Sequence, residues 1–312
     1  MHPAYSVILF TTASGAGYGL LMLISLACFM GVVPESPVYG FVGMALSLGL
    51  ITAGLMSSMA HLGHPERSWR ALSQWRTSWL SREGVLAVAT YAPAGVFGIS
   101  WVFFGKLDGF VPYVALLTAI LSLVTVYCTG MIYGSLRTIS AWNQKITAPN
   151  YIIIALASGA ILQVLLLTIF DQLNSSAIAL ALMLAVTAFV AKWVYWFKID
   201  RTPIGYTLEQ AIGLKDQGKI RQVEAAHTQP NYVMREMGYV VARKHSRQIR
   251  MLSTLLCFVL PAVCMVLSLG MAEPLFFVSI ATASLAVGLV MERWLFFAEA
   301  VHVVTLYYGN SQ

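Results

Sequence analysis

The feature that most constrains this chain is a series of eight apolar runs, each close to the length that crosses a bilayer. Inside a bilayer every backbone N–H and C=O needs a partner within the protein, and a helix supplies that partner from its own segment. The chain is 58% hydrophobic and 10% charged, which lies outside the range of soluble globular proteins. The sequence therefore predicts an all-α, polytopic membrane protein with eight transmembrane helices, at approximately 7–31, 38–62, 84–104, 111–134, 150–170, 176–198, 251–271 and 275–306.

The N-terminal segment MHPAYSVILF does not resemble a cleaved signal peptide. It has no positively charged region before its apolar core, and no small-residue cleavage site follows. We therefore expect the first apolar run to be retained as a span, and residues 1–312 to form a single integral-membrane domain.

The basic residues lie almost entirely on one side of the predicted bundle. Sixteen of the 19 lysines and arginines fall in or beside the connections 63–83, 135–149 and 199–250, whereas Lys106 is alone on the opposite side. Cytoplasmic connections of membrane proteins carry an excess of Lys and Arg. We therefore predict that these connections and both termini are cytoplasmic, in a cell inner (cytoplasmic) membrane, with the lipid bilayer and no nucleic acid as a partner.

The cysteines and histidines do not form a recognisable metal site. The four cysteines lie within predicted spans and form no C-x-x-C pair, so we expect no metal, iron–sulfur cluster or disulfide in this chain. A bis-histidine haem between His61 and His302 is a rival hypothesis. A dihaem core needs a second histidine pair at another depth, which the sequence lacks, so we expect no haem. The cysteines are Cys28, Cys128, Cys257 and Cys264.

Polar groups concentrate between the second and third spans, in the stretch HLGHPERSWRALSQWRTSWLSRE at 61–83. The pattern of residues 63–83 predicts an interfacial amphipathic helix. We expect it to begin at His64–Pro65, since Pro is favoured at the first helical position. We expect Arg70 and Arg76 to face its polar side. Its apolar residues, which face lipid or protein, are Trp69, Leu72, Trp79 and Leu80. Tryptophan at this depth is typical of ordinary interfacial anchoring.

His61, at the end of the second span, and Glu83, at the start of the third, are the candidate catalytic residues. Their spans share one connection, so we expect the two side chains to face a common pocket. A membrane substrate such as a quinone needs two protons when it is reduced, and His and Glu side chains can deliver them. The alternative is structural: His61 caps a helix end and Glu83 neutralises Arg82.

The eighth span contains Glu292 and Arg293, which we expect to face the bundle interior because unpaired charges facing lipid are costly. A structural ion pair and a role in proton transfer or quinone binding are both open for them. Glu299 and His302 follow on later turns of the same predicted helix. We expect Lys192 of the sixth span to extend its amine to the membrane surface.

The connection 199–250 is predicted to contain a short helix, since Thr207 to Gln210 has capping-box spacing and Gly218 is a candidate end. A basic cluster at 243–247 leads into the seventh span. It is either an orientation signal beside anionic lipid or a docking surface for a soluble subunit, and the two are compatible.

The segment SSMAHLGHPERSWRALSQWRTSWLSRE resembles the membrane-anchor subunits of the DMSO reductase family of molybdoenzymes. The similarity continues through RTISAWN at 137–143, TAP at 147–149, and Glu292–Arg293 with Phe296–Phe297. The resemblance implies eight spans without haem, and electron exchange between a quinone (ubiquinone or menaquinone) and a docked iron–sulfur subunit. A molybdopterin catalytic subunit lies beyond that subunit, so molybdopterin and iron–sulfur clusters are expected in partner subunits alone.

The resemblance also assigns candidate residues. The residues that match His61 and Glu83 are implicated in quinol binding or oxidation in that family. Seven residues are therefore the candidates for quinone binding here: His61, His64, Arg67, Arg82, Glu83, Glu292 and Arg293.

The predicted orientation departs from the DMSO-reducing enzymes, whose soluble subunits lie outside the cell. Here the basic side is predicted to be cytoplasmic, and the insertion at 199–250 looks like that of the anchors of cytoplasmic sulfite-oxidising enzymes. Sulfite oxidation to sulfate, with electrons passed to quinone, is therefore the favoured function. The alternatives are an anchor of a DMSO, polysulfide or tetrathionate reductase that oxidises quinol, a purely structural anchor, or an ion-translocating subunit.

Overall fold

The computed structural model describes residues 4–59, 62, 64–202, 206–214, 218, 220, 223–224 and 244–308. All regular secondary structure in these ranges is helical, and eight helices are long and apolar enough to cross a membrane. The spanning helices are α1 (Tyr5–Phe29), α2 (Pro37–Met59), α3 (Trp79–Phe104), α4 (Val111–Gly134), α5 (Thr147–Ile169), α6 (Ser175–Arg201), α8 (Ser246–Leu267) and α9 (Pro274–Ala298). The remaining elements are the short helix α7 (Leu208–Ala211) and two 3₁₀ segments, Pro65–Gln74 and Val303–Tyr308.

The eight predicted spans are confirmed, but the start of the third was predicted too late. This helix begins at Trp79 rather than at residue 84. Ser78 is its N-cap, and its hydroxyl accepts a hydrogen bond from the backbone N–H of Ser81 at 3.4 Å. Glu83 therefore lies inside the helix and not at its boundary.

The eighth span was predicted too long. Its helix ends at Ala298, and not at residue 306, so His302 lies beyond it and not on a later turn. The chain leaves the helix because the backbone N–H of Val303 donates to the carbonyl of Thr138, at 3.0 Å, in the connection after α4. A tertiary hydrogen bond therefore replaces the next helical one.

Helix α8 is displaced from its predicted range 251–271, and it contains a π-helical turn at Leu255–Val259. Pro261 follows that turn and has no N–H to continue the regular ladder. The Ser284 hydroxyl of α9 donates to the carbonyl of Leu256 at 2.8 Å. This bond satisfies a backbone acceptor inside the membrane and fixes α9 against α8.

Helices α1 and α5 lie at the centre of the bundle, where the share of buried residues is highest. A Cβ at Gly19 would overlap the carbonyl of Ala155, and one at Gly159 would overlap the backbone of Gly19. A Cβ at Gly17 would lie 2.7 Å from the carbonyl oxygen of Ser47 in α2. These helices pack backbone against backbone, which small residues permit inside membranes.

The 3₁₀ segment Pro65–Gln74 is tied to the first turn of α3. The predicted helix start at His64–Pro65 is confirmed, although the segment is 3₁₀ rather than α. The Ser81 hydroxyl donates to the carbonyl of Ala71 and accepts from the N–H of Gln74, at 3.1 Å. The segment is therefore held along the bundle surface next to α3.

The described residues of the connections after α2, α4 and α6, together with 299–308, lie at one end of the bundle, which we call the basic end. The Tyr307 hydroxyl donates to the carbonyl of Ala211 at 2.7 Å. Arg250 pairs with Asp200 at 2.7 Å and with Glu299 at 2.8 Å. These contacts join the ends of α6, α8 and α9 to the C-terminal segment.

The capping box predicted in the long connection is confirmed, but the predicted end of its helix is wrong. The Thr207 hydroxyl accepts from the N–H of Gln210, and the Gln210 side chain accepts from the N–H of Thr207. The helix covers Leu208–Ala211, and the chain turns at Gly213, where φ is 77°, before it reaches Gly218. A nearer glycine with the required backbone conformation ends the helix first.

We expect Gly19→Ala to destabilise the bundle by about 1–3 kcal/mol, as overpacking does. The added methyl group has no room against Ala155. The matched control is Gly15→Ala on the same helix, where an added Cβ has no heavy atom within 4 Å. The measurement is thermal unfolding of the purified protein in detergent, and equal melting temperatures for the two variants would contradict the close packing of α1 on α5.

Candidate functional site

Glu83 is buried inside the bundle, with 4% of its surface exposed. The Thr129 hydroxyl of α4 donates a hydrogen bond to its Oε1. An isolated carboxylate in apolar surroundings is costly, so the hydroxyl compensates part of the hydration that Glu83 has lost. The contact joins α3 to α4 and fixes the direction of the carboxyl group.

Arg82 points away from Glu83, because successive helical residues lie roughly 100° apart around the axis. Its Nε donates to the carbonyl of Trp75 at 3.0 Å, and its Nη2 donates to the carbonyl of Arg76 at 2.6 Å. Its guanidinium lies 4.3 Å from the ring centre of Trp79, a cation–π distance. The structural alternative in which Glu83 neutralises Arg82 is therefore wrong.

A groove of about 360 Å³ lies between α3 and α4, beside the end of the 3₁₀ segment. The Trp79 and Tyr127 rings meet edge to face at 5.9 Å and join the two helices along it. Its walls are mainly apolar, with the Arg82 guanidinium as the charged group, and its volume falls in the range of small-molecule sites. The lining residues are Trp75, Trp79, Arg82, Val85, Leu86, Val124, Tyr127 and Cys128.

Helix α3 separates the groove from the buried carboxyl group. Arg82 lines the groove, whereas Glu83 faces the interior; on α4, Cys128 lines the groove, whereas Thr129 binds Glu83. The groove therefore opens to the outside of the bundle, and the buried carboxyl group of Glu83 lies behind its wall.

Two other described candidates in the 61–83 stretch, His64 and Arg67, do not line the groove. His64 and Arg67 are exposed on the 3₁₀ segment, where both approach Glu66, at 3.0 and 3.7 Å. Exposed pairs of this kind contribute little to stability. His61 lies outside the described residues, so its predicted pocket with Glu83 stays a prediction.

Glu292 and Arg293 face the bundle interior, as predicted. Glu292 forms ion pairs with Arg293, at 3.0 Å, and with Lys192 of α6. The predicted extension of Lys192 to the membrane surface is wrong, since this side chain is 2% exposed. Its amine is held by Glu292 and lies 4.5 Å from the ring centre of Tyr195, and these contacts replace contact with water.

Two ionisable groups lie at the basic end, just beyond α9. Burial raises the pKa of Glu299, and the neighbouring Arg250 opposes that shift. Burial lowers the pKa of His302, whose Nδ1 accepts a hydrogen bond from the N–H of Val304 at 3.1 Å. Among the described residues, no three His, Cys, Asp or Glu side chains converge on a metal position.

Sequence reasoning did not find the contribution of α4 to this site. Thr129 is 46 residues from Glu83, and helix periodicity does not show which face of an apolar span meets its neighbour. The one feature of the sequence that could have indicated a polar contact at Thr129 is the presence of a hydroxyl residue within an apolar span. Tyr127 and Cys128 carry no such signal.

Comparison with known proteins extends the similarity over the whole chain. A family profile described as DMSO reductase anchor subunit (DmsC) matches residues 1–309. A sulfite dehydrogenase subunit of Allochromatium vinosum is 32% identical over 332 aligned positions, which cover 99% of this chain and 99% of that protein. Both matches include all eight spans, and not only the stretch 61–83.

We expect Glu292→Gln to destabilise the protein by about 3–5 kcal/mol, because it leaves Lys192 and Arg293 buried without a counter-ion. Lys192→Met should destabilise it less, since Arg293 still neutralises Glu292. The double variant Lys192→Met/Glu292→Gln should recover part of the loss. The measurement is thermal unfolding in detergent.

The matched control is Glu273→Gln, which changes an exposed glutamate at the opposite end of α9 and should leave the melting temperature unchanged. If Lys192→Met destabilises the protein as much as Glu292→Gln, the assignment of Glu292 as the shared counter-ion is wrong.

Proposed function

Because the chain belongs to the DMSO reductase anchor subunit (DmsC) family, we propose that it is the membrane-anchor and quinone-reactive subunit of a molybdopterin oxidoreductase complex. The observation that carries the proposal is the pairing of an apolar groove on the outside of the bundle with a buried carboxyl group behind its wall. A quinone is an apolar substrate that enters from the bilayer and exchanges protons at its ring oxygens.

The groove fits the quinone ring in size and chemistry. Its volume of about 360 Å³ lies within the range for small-molecule sites, and its aromatic walls suit a flat ring. Arg82 would donate a hydrogen bond to a ring oxygen, which orients the substrate. Glu292 and Arg293 do not line the groove. They form an ion pair in the bundle interior.

Reduction of a quinone to quinol takes up two electrons and two protons. In our proposal a docked iron–sulfur subunit supplies the electrons, and Glu83 and His61 supply the protons as general acids. Because Glu83 faces the interior, its side chain rotates towards the groove to reach a ring oxygen of the quinone. Burial of Glu83 keeps its proton exchange separate from bulk water, while the Thr129 hydrogen bond holds the carboxyl group in one position. His64 and Arg67 are exposed beside the groove, where they contact the docked subunit or the quinone.

Sulfite oxidation is the reaction we assign to the complex, since the relative from Allochromatium vinosum is a sulfite dehydrogenase subunit. Sulfite and water yield sulfate, two protons and two electrons at the molybdopterin subunit. The electrons then pass through iron–sulfur clusters of the partner to the quinone held by this chain. A reductase anchor that oxidises quinol is the alternative, with the same groove and the reverse electron flow.

We place the partner subunits at the basic end and that end in the cytoplasm. Lys244 and Arg247 are exposed there, as are Arg67 and Arg70 of the 3₁₀ segment; Arg243 lies outside the described residues. Such a surface suits an acidic partner or anionic lipid. The excess of Lys and Arg supports the cytoplasmic orientation in an inner membrane.

Ion translocation across the whole membrane is not favoured. Within the described spans, the buried acidic and basic side chains are Glu83, Lys192, Glu292 and Arg293, and all four lie in the half next to the basic end. A transport route needs polar groups through the full depth.

We expect Glu83→Gln to lower quinone turnover of the purified complex roughly 10²–10⁴-fold, which is the contribution of general acid–base catalysis. His61→Ala should have the same direction of effect. Leu86→Trp should instead raise the KM for quinone, because it fills the groove. The measurement is steady-state sulfite:quinone activity at varied quinone concentration, with assembly checked by co-purification.

Two matched controls accompany these variants. Glu66→Gln changes an exposed glutamate of the 3₁₀ segment, and Val96→Trp changes an exposed residue of α3 that does not line the groove. Both should retain wild-type turnover and KM. If assembled Glu83→Gln and His61→Ala complexes turn over quinone at the wild-type rate, this stretch is not the quinone site.

To test the orientation, we expect a membrane-impermeant maleimide to label Lys106→Cys in intact spheroplasts. It should label Lys145→Cys only after the membrane has been permeabilised. Both lysines are exposed, and they lie at opposite ends of the bundle. The four native cysteines are buried and give a low background. The reverse labelling pattern would place the basic end outside and favour the exported reductase type.

A further inference from the structure

A small cavity of about 10 Å³, lined by both apolar and polar side chains, lies inside the basic half of the bundle, between α1, α4, α5 and α9. This is about the room that one water molecule needs. The lining side chains that can hydrogen-bond into it include Thr12, Ser14, Tyr18, Thr129, Tyr151 and Arg293. The Tyr18 and Tyr151 hydroxyls and the Arg293 guanidinium would give a water here the two to four polar partners that buried waters use.

Two of these side chains lack a partner of their own. The Tyr18 and Tyr151 hydroxyls are buried, at 2% and 4% residue exposure. They approach Thr125 and Arg293 respectively, but neither contact has hydrogen-bond geometry. Buried hydroxyls without a partner are costly, and a water in the cavity would satisfy both.

The cavity joins two charged sites that lie on different helices. On one side, the Thr129 hydroxyl lines the cavity and donates to Glu83. On the other side, Arg293 lines it and pairs with Glu292. Tyr151 also borders the space around Lys192 and Glu292, so its hydroxyl lies at the boundary between the two sites.

The charged cluster on the far side has an exchangeable proton. Lys192 and Arg293 carry two positive charges against the one carboxylate of Glu292. A guanidinium does not release its proton in proteins, so the exchangeable proton belongs to the Lys192–Glu292 pair. Glu299 lies seven residues beyond Glu292, about 10 Å further along the helix axis, next to Arg250 and solvent-exposed Asp200.

We propose that the cavity holds one water molecule through which Thr129 and Tyr151 pass the proton exchanged at Glu83 to and from the Lys192–Glu292 pair. The inference rests on the proposed quinone reaction. There, Glu83 gives one proton to the reduced quinone as electrons arrive from the iron–sulfur partner. The pair then returns a proton to Glu83 through the water, and solvent at the basic end restores the pair by way of Glu299. Tyr151 and Thr129 carry the proton in this scheme and do not touch the quinone.

The test uses Tyr151→Phe, which removes one hydroxyl, and Thr129→Val, which removes the other at nearly equal volume. In the purified complex we expect kcat to fall roughly 10-fold with the KM for quinone unchanged, and the solvent deuterium isotope effect to rise. A small weak acid such as azide should restore the rate. The matched control is Tyr133→Phe, whose ring stacks on Tyr151 at 5.7 Å but does not line the cavity.

A second measurement does not depend on turnover. Infrared spectroscopy of the complex at acidic pH follows H/D exchange of the Glu83 carboxyl proton, identified by the absence of its band in Glu83→Gln. Exchange should be slower in Tyr151→Phe than in Tyr133→Phe. Equal exchange, or a loss of kcat without rescue by weak acid, would overturn the proton link.

The outcomes separate the two proposals. If Glu83→Gln abolishes turnover while Tyr151→Phe and Thr129→Val keep the wild-type kcat and isotope effect, the link is wrong and the quinone site stands. If Glu83→Gln is fully active, both proposals fail.

Discussion

A charge inside a membrane span needs a partner, and this requirement organises the basic half of the bundle. Glu292 joins α9 to α6 through Lys192, and Glu83 joins α3 to α4 through Thr129. The glycines of α1 and α5 allow these helices to pack closely. Thr129, which binds Glu83, and Arg293, which binds Glu292, both line the cavity beside them. Removal of the Lys192–Glu292 pair or of the Thr129–Glu83 bond would leave a buried polar group without compensation.

The two sides of α3 differ in chemistry. The groove on its outer side is apolar and open to the outside of the bundle, whereas the inner side carries Glu83 and the small cavity. A buried ion-pair cluster is weak evidence of stability, since apolar residues of similar volume often stabilise a core as well. The proton link that we propose gives the cluster at Glu292 a role besides stability, because the cavity beside it borders Thr129, which binds the carboxyl group behind the groove.

The 3₁₀ segment connects the groove to the surface where we place the partner. Trp75, just beyond its end, lines the groove, while Arg67 and Arg70 face outward from the same segment. Backbone carbonyls at its end hold Arg82 in place. A partner that binds this surface would therefore contact the segment that ends next to the groove, and this suits the electron transfer that we propose.

Eight spans, their approximate limits, the basic end and the candidacy of Glu83 all followed from the residues alone, because apolar length and charge distribution are properties of short stretches. The opposite directions of Arg82 and Glu83, the bond from Thr129, the buried pairing of Lys192 and the early end of α9 did not. Each depends on a contact between side chains or backbone groups that are far apart in the chain. Local pattern shows that a polar group needs a partner, but the packing of helices decides which partner it meets.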